Sequence, residues 1–317
     1  MELASIPALK LQMNKILNAS LAKSTNSSYR QKVKKYKAFC KTHKLKPLLE
    51  TNVCYFVTSL AQTASYATIL TYVAAIKNFI KQHKPVKYVK RMYSLKRLLL
   101  GLKRLCKPKH KNTRLPISHK QLKIIKSALK KLASHHNRAM LWCAITFAFF
   151  GLLRVSEMVS KTQSSFDKEK TLLYNDVKIR KQHVKIHLKS SKTDQYSSGA
   201  DVVLAKNKTA LCPHRAAQKY ADHVLSRKGP FFTYENGKFL TNRSFNKFIR
   251  SILPSTNAGS YSSHSLRIGA ATEAARRGYP KYVIQQIGRW RSSSFKKYIK
   301  FNKSTYIDIS KSLAPNT

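Results

Sequence analysis

Residues 264–298 read HSLRIGAATEAARRGYPKYVIQQIGRWRSSSFKKY. The stretch divides into helix, stop, helix, stop and a last short helix. Ser262 or Ser263 can cap the first helix, which carries His264, Leu266 and Arg267 and stops at Gly278. His264 and Arg267 are three apart and therefore share a face. Pro280 suits the first turn of the second helix, with Val283 and Ile287 facing inward and Gly288 ending it. Arg289 and Trp290 follow. Ser292–Ser294 begin the last helix, which turns Phe295 and Ile299 inward and sets Tyr298 beside them. A histidine, arginines, an indole N–H and a phenol hydroxyl make a poor metal site but a good anion site with a nucleophile in it.

Upstream, Met140–Phe150, MLWCAITFAFF, is almost wholly apolar and belongs at the centre of a domain. It ends at Gly151, and GLLRVSEM follows. Arg154 thus stands just past a buried helix, where a charge needs a reason, and Glu157 is placed to pair with it or orient it. Leu172–Arg180 and His183–Lys189 alternate as strands, with Val184, Ile186 and Leu188 on one face. Ser190–Gly199 is a polar turn holding Lys192, and Asp201–Leu204 returns as a further strand. Helices are predicted over Cys212–Ser226 and Thr241–Leu253.

The N-terminal hundred residues are helical. IPALKLQMNKIL reads as a short amphipathic helix rather than a signal peptide. Tyr29, Val33, Tyr36 and Cys40 recur at helical spacing. Thr51 can cap a helix facing inward through Val53, Phe56, Val57 and Leu60, and Ser65 another through Ile69, Val73, Ile76 and Ile80. A fourth helix is predicted from Val86 to Leu105, with Lys87, Lys90, Arg91, Lys96, Arg97, Lys103 and Arg104 opposite its apolar stripe. KPKHKNTRLP, 107–116, carries Lys109, Lys111 and Arg114 between prolines and reads as a basic linker. Ser118 and Gln121 form a capping box for the next helix. The expected fold is mainly α with a small antiparallel β-sheet, divided into a helical domain (1–106), the linker (107–116) and an α+β domain (117–317).

Across 317 residues, 62 Lys+Arg stand against 12 Asp+Glu, a formal charge of +50. Hydrophobic residues at 43% are enough for true cores, so this is not a disordered basic tail. Such an imbalance calls for a polyanion, and double-stranded DNA is the expected partner, with strongly salt-dependent binding. Lys87, Lys90, Arg91, Arg97, Lys103, Arg104, Lys109, Lys111 and Arg114 are the candidate phosphate contacts. The five cysteines (Cys40, Cys54, Cys106, Cys143, Cys212) are odd in number and scattered, which suits a reducing compartment. Cys40–His43 and Cys212–His214 lack a second ligand pair, so no metal or other cofactor is expected. No apolar run is long enough to span a membrane. The expected location is intracellular, with the DNA: the nucleus in a eukaryote, the cytoplasm or nucleoid in a prokaryote.

Taken in order, G-L-L-R-x-S-E, a hairpin lysine, H-x-L-R followed by G-A-A-T, G-R-W, and a tyrosine eight beyond that tryptophan resemble the tyrosine recombinases of the phage-integrase family. The ending G-R-W-x-S-x-x-F-x-x-Y-I is most similar to recombinases of eukaryotic Crypton and DIRS-type mobile elements. The resemblance implies a SAM-like core-binding bundle at the N-terminus and a catalytic domain from about residue 115. It implies DNA integration and recombination by four protomers on two DNA sites. Arg154 and Arg267 would clamp the scissile phosphate and Lys192, with Lys189 and Lys181 nearby, would protonate the leaving 5′-oxygen. His264 would act as acid–base, Trp290 as a further donor and Tyr298 as nucleophile, with Glu157 in support. The chemistry agrees: cleaving a phosphodiester without a metal needs a nucleophile and dense cationic charge on the phosphate oxygens. A two-metal nuclease needs clustered carboxylates, and only Glu157 and Glu273 stand near this set. The rival readings are a type IB topoisomerase-like enzyme and a domesticated, non-catalytic DNA-binding protein.

Overall fold

A computed structural model describes residues 5–105, 113–190, 199–224 and 227–299. The chain forms two compact units, Met1–Lys111 and Asn112–Thr317.

The first unit holds α1 (Ile6–Ala19), α2 (Lys23–Thr42), α3 (Glu50–Ala61), α4 (Tyr66–Lys81), α5 (Val86–Arg91) and α6 (Tyr93–Leu105). Its core is built from Tyr36, Cys40, Val53, Val57, Ile69, Ile76, Ile80 and Leu95, the stripes that helical spacing sets on one face. Ser65 caps α4 by accepting the Thr68 amide. Thr51 caps nothing: α3 starts one residue earlier, at Glu50. The Glu50 carboxylate instead accepts the Leu95 amide at 2.8 Å. That captured N–H belongs to the first turn of α6, so the single helix expected over Val86–Leu105 is two, broken at buried Met92 (φ −58°, ψ 80°).

The second unit holds α7 (His119–Leu129), α8 (His135–Phe150), α9 (Val155–Met158), β1 (Val177–Ile179), β2 (His183–Leu188), β3 (Ala200–Ala205), α10 (Pro213–Ala221), α11 (Asn242–Ile252), α12 (Ser263–Arg276) and α13 (Lys281–Ile287). The strands form one antiparallel sheet in the order β1-β2-β3, with Val184 opposite Leu204 and Ile186 opposite Val202. Val184, Ile186 and Leu188 face the core as the alternation requires. Residues 172–176 do not join the sheet. Asp176 accepts the Leu173 amide at 2.8 Å and folds Tyr174–Asp176 into a 3-10 turn, a local bond that competes with strand pairing. Buried α8 runs through the centre, and Phe147 packs on Phe231 and Phe232.

The Ser118–Gln121 capping box is present. Ahead of it, Leu115 donates to Ser260 O at 3.0 Å, Ser260 to Thr113 O at 2.9 Å and Ile117 to Ser265 O at 3.0 Å. Residues 113–116, the end of the stretch read as a linker, are therefore paired with the α12 side of this unit; 106–112 lie outside the described residues. Gly269 makes this pairing sterically feasible, since a Cβ there would lie 1.8 Å from Ile117 O. In α13 the inward residue is Ile284, while Ile287 is 48% exposed. Pro280 stands outside the helix as its N-cap rather than in its first turn, and the short helix turns a different face inward from the one expected.

Candidate active site

Three segments meet at one cluster. The first follows α8: Leu152 adopts a left-handed φ of 47°, turning the chain so that Arg154 leads into α9. Glu157 lies one turn on, its side chain only 1% exposed. Its Oε2 accepts the Arg154 amide at 2.8 Å and its Oε1 the Arg154 Nη1 at 2.7 Å.

The second contribution is α12. Arg267 is fully buried, donating from Nη1 to Leu152 O and from Nη2 to Gly288 O at 2.5 Å. Burial, and then the neighbouring Arg154 charge, pull Arg267 below the usual arginine range, while Glu157 opposes. Arginine still keeps its proton at neutral pH. His264, half-buried one turn earlier, meets the Tyr298 ring edge-on at 5.1 Å.

The third is the end of α13. Gly288 terminates it, Arg289 follows at φ 55°, and the Trp290 ring folds back over Gly288. A Cβ on Gly288 would lie 1.7 Å from that ring. The Arg267 guanidinium stacks on the Trp290 ring, 4.1 Å from its centroid. Tyr298 ends the last 3-10 turn, half-buried, 4.9 Å from Trp290 and with Arg267 5.6 Å from its ring centroid. Its backbone carbonyl accepts the Thr272 hydroxyl at 3.1 Å, which ties the turn to α12.

Arg154, His264, Arg267, Trp290, Tyr298 and Glu157 are thus brought together. Lys192 lies outside the described residues. Lys189 is held by Asp176 at 2.9 Å and by Lys168 O at 2.7 Å, and Lys181 is exposed. Of the basic residues singled out for phosphate, Lys87, Lys90, Arg91, Arg97, Lys103, Arg104 and Arg114 are all exposed; Lys109 and Lys111 lie outside the described residues. Among the described residues, no three His, Cys, Asp or Glu side chains stand together as metal ligands. Arg289, which the sequence assigns no role beyond its place between Gly288 and Trp290, is a further member of the cluster. Arg289 donates to Glu157 Oε2 at 3.2 Å, and only its place after a helix-ending glycine hinted at a fixed position.

Arg154 and Arg289 bond the one carboxylate and Arg267 interacts with it through charge alone, so three guanidinium groups leave an excess of positive charge suited to an anion. Among the described residues, the buried Arg267 Nε and Trp290 Nε1 of the cluster meet no hydrogen-bond acceptor. Buried N–H groups are rarely left so, and an anionic oxygen entering the cluster would satisfy them.

A family model for the phage integrases matches residues 116–304, well over half of the chain. The chain belongs to the phage integrase family. It is accordingly a site-specific DNA strand-exchange recombinase with the tyrosine-recombinase catalytic fold. Among solved structures of this fold, a lambda integrase dimer bound to a COC′ core site aligns with a TM-score of 0.59 at 12% identity, covering 95% of this chain and 80% of that one. A lambda integrase tetramer bound to a Holliday junction gives 0.59 at 11% identity, covering 88% and 72%. A post-cleavage complex of XerH site-specific recombinase with palindromic difH substrate gives 0.54 at 16% identity, covering 83% and 69%. No curated protein sequence matches the chain.

Proposed function

We propose that this phage-integrase member cuts and rejoins double-stranded DNA through a covalent 3′-phosphotyrosyl link to Tyr298. The observation that carries the reading is the packing of the Tyr298 ring against His264 and Trp290 with the Arg267 guanidinium beside it. The Tyr298 oxygen attacks phosphorus and gives up its proton, with His264 in reach as acid–base. The bond from phosphorus to the 5′-oxygen breaks, and that oxygen takes a proton from Lys192. Arg154 and Arg267 hold the non-bridging oxygens, where charge concentrates in the transition state, and the Trp290 N–H adds a neutral donor. One phosphoester is exchanged for another, so rejoining to a new strand needs no ATP.

The exposed cations of α5 and α6, with Lys109, Lys111 and Arg114, contact the DNA backbone. Four protomers act on two DNA sites, a reading supported by the lambda integrase tetramer bound to a Holliday junction. The G-R-W-x-S-x-x-F-x-x-Y-I ending supports a place among the Crypton and DIRS-type enzymes, and hence integration and recombination of a mobile element.

The test is incubation with a nicked suicide DNA site in EDTA. A covalent protein–DNA adduct is expected with the natural chain and none with Tyr298→Phe. An adduct that persists in Tyr298→Phe, or cleavage that demands Mg²⁺, overturns the reading. Tight binding to a verified site without any adduct would make the chain a DNA-binding protein only. Relaxation of any supercoiled plasmid would make it a topoisomerase.

A further inference from the structure

We propose that Arg289 is a positioning residue for strand cleavage, acting through Glu157 on Arg154; this rests on the reading of the cluster as the cleavage site. Glu157 is an almost fully buried carboxylate with two cationic partners. Oε1 takes Arg154 Nη1, and Oε2 takes the Arg154 amide and Arg289 Nη2. Arg154 is the side chain that would meet phosphate, and both its backbone and its guanidinium are oriented by this carboxylate. What orients the carboxylate from the other side is Arg289.

Arg289 is itself fixed from several directions. Its Nη1 donates to Gly151 O at 3.2 Å and Ile287 O at 3.0 Å, and its Nη2 also reaches Leu152 O at 3.2 Å. These carbonyls belong to the ends of α8 and α13, where the last C=O groups have no helical partner and the dipole is negative. Arg289 thereby ties the loop bearing Arg154 to the loop bearing Trp290. Its φ of 55° lies in the left-handed region, an arrangement that a non-glycine residue keeps only when its surroundings hold it. Its side chain is 15% exposed, and its guanidinium bonds run to Glu157 and to these carbonyls, the groups that hold the loops of Arg154 and Trp290. A lysine would retain the charge but not the planar fork that reaches carboxylate and carbonyls together.

The experiment is a double-mutant cycle on the full chain, read by single-turnover adduct formation on the suicide site and by DNA affinity. Arg289→Met is expected to slow adduct formation by about 10- to 100-fold, the usual effect of losing an orienting partner. Its DNA affinity should stay within about threefold. In an Arg154→Ala background the same change should cost less than about threefold, because the residue it positions is gone. Arg289→Lys, with its fold checked by thermal melting, should recover part of the rate in the natural background only; it stands in for Arg289→Met if that variant does not fold. Equal losses in both backgrounds, or a fall in affinity matching the fall in rate, overturn the role. A natural chain that forms no Tyr298 adduct overturns the reading of the site and the role with it, whereas an intact Tyr298 adduct with additive losses removes the role alone.

Discussion

Among the described residues, Arg267 is the largest side chain that water does not reach. Burying a guanidinium costs several kcal/mol unless its hydrogens find acceptors. Here the Leu152 and Gly288 carbonyls take Nη1 and Nη2 and the Trp290 face stacks on the group, while Nε stays open to an incoming anion. A lysine has neither the two-pronged reach nor the flat face that stacks on indole. Arg267→Lys is therefore expected to destabilise the protein by about 1–3 kcal/mol, from the carbonyls it leaves unpaired. Adduct formation should fall by about 10²–10³-fold, as when a donor to a developing oxyanion is lost. Thermal melting and single-turnover cleavage measure the two separately; natural cleavage by this variant would remove Arg267 from the transition state.

At the scale of elements, the site is a meeting of helix ends. The closing turns of α8 and α13 both point carbonyls at arginines, which answers the unpaired C=O groups that any helix leaves at its C-terminus. Gly288 is the tightest point, because the Trp290 ring lies where a side chain would be. Gly288→Ala should displace that ring, lower stability by about 1–3 kcal/mol as overpacking does, and depress cleavage with it. An alanine variant with natural melting and natural cleavage would show that Trp290 does not need this seat. The end of α12 offers a pH-dependent contact away from the cluster. Glu273 is bonded to Arg276, and also to Arg277, which hold its carboxyl down to about 2 from an ordinary 4.5. A depressed carboxyl pKa stabilises the fold above its unfolded value. Glu273→Gln should thus melt lower than the natural chain at neutral pH, by about 1 kcal/mol for a partly exposed pair. The gap should close as pH falls from about 4.5 towards 2, and a gap independent of pH would assign the loss to packing instead.

For the whole molecule, charge dominates: 62 basic residues face 12 acidic ones. The cations singled out on α5 and α6 all stand at exposed positions. If they neutralise phosphates, DNA affinity should fall steeply and log-linearly with salt. Replacing Lys87 or Arg97 by alanine should weaken all DNA sequences alike and lower that slope by about one unit per lost contact. Filter binding across a salt series measures it, and an unchanged slope would leave those residues as solvated surface.

The sequence by itself determined the class of fold and most of its elements. Capping residues, helical stripes and strand alternation act within about four residues, so Ser65, Ser118 and the Val184–Ile186–Leu188 face could be read directly. The ordered motif residues likewise marked side chains that the structure brings together. What only the tertiary structure decided are bonds between distant positions. Glu50 starts α6 from 45 residues away, and residues 113–117 pair with Ser260 and Ser265. Arg289 reaches Glu157 across 132 residues of chain. No local pattern encodes such contacts, because their partners are chosen by where packed helices end; that is why the stretch 264–298 announced the site while Arg289, inside it, did not announce its part.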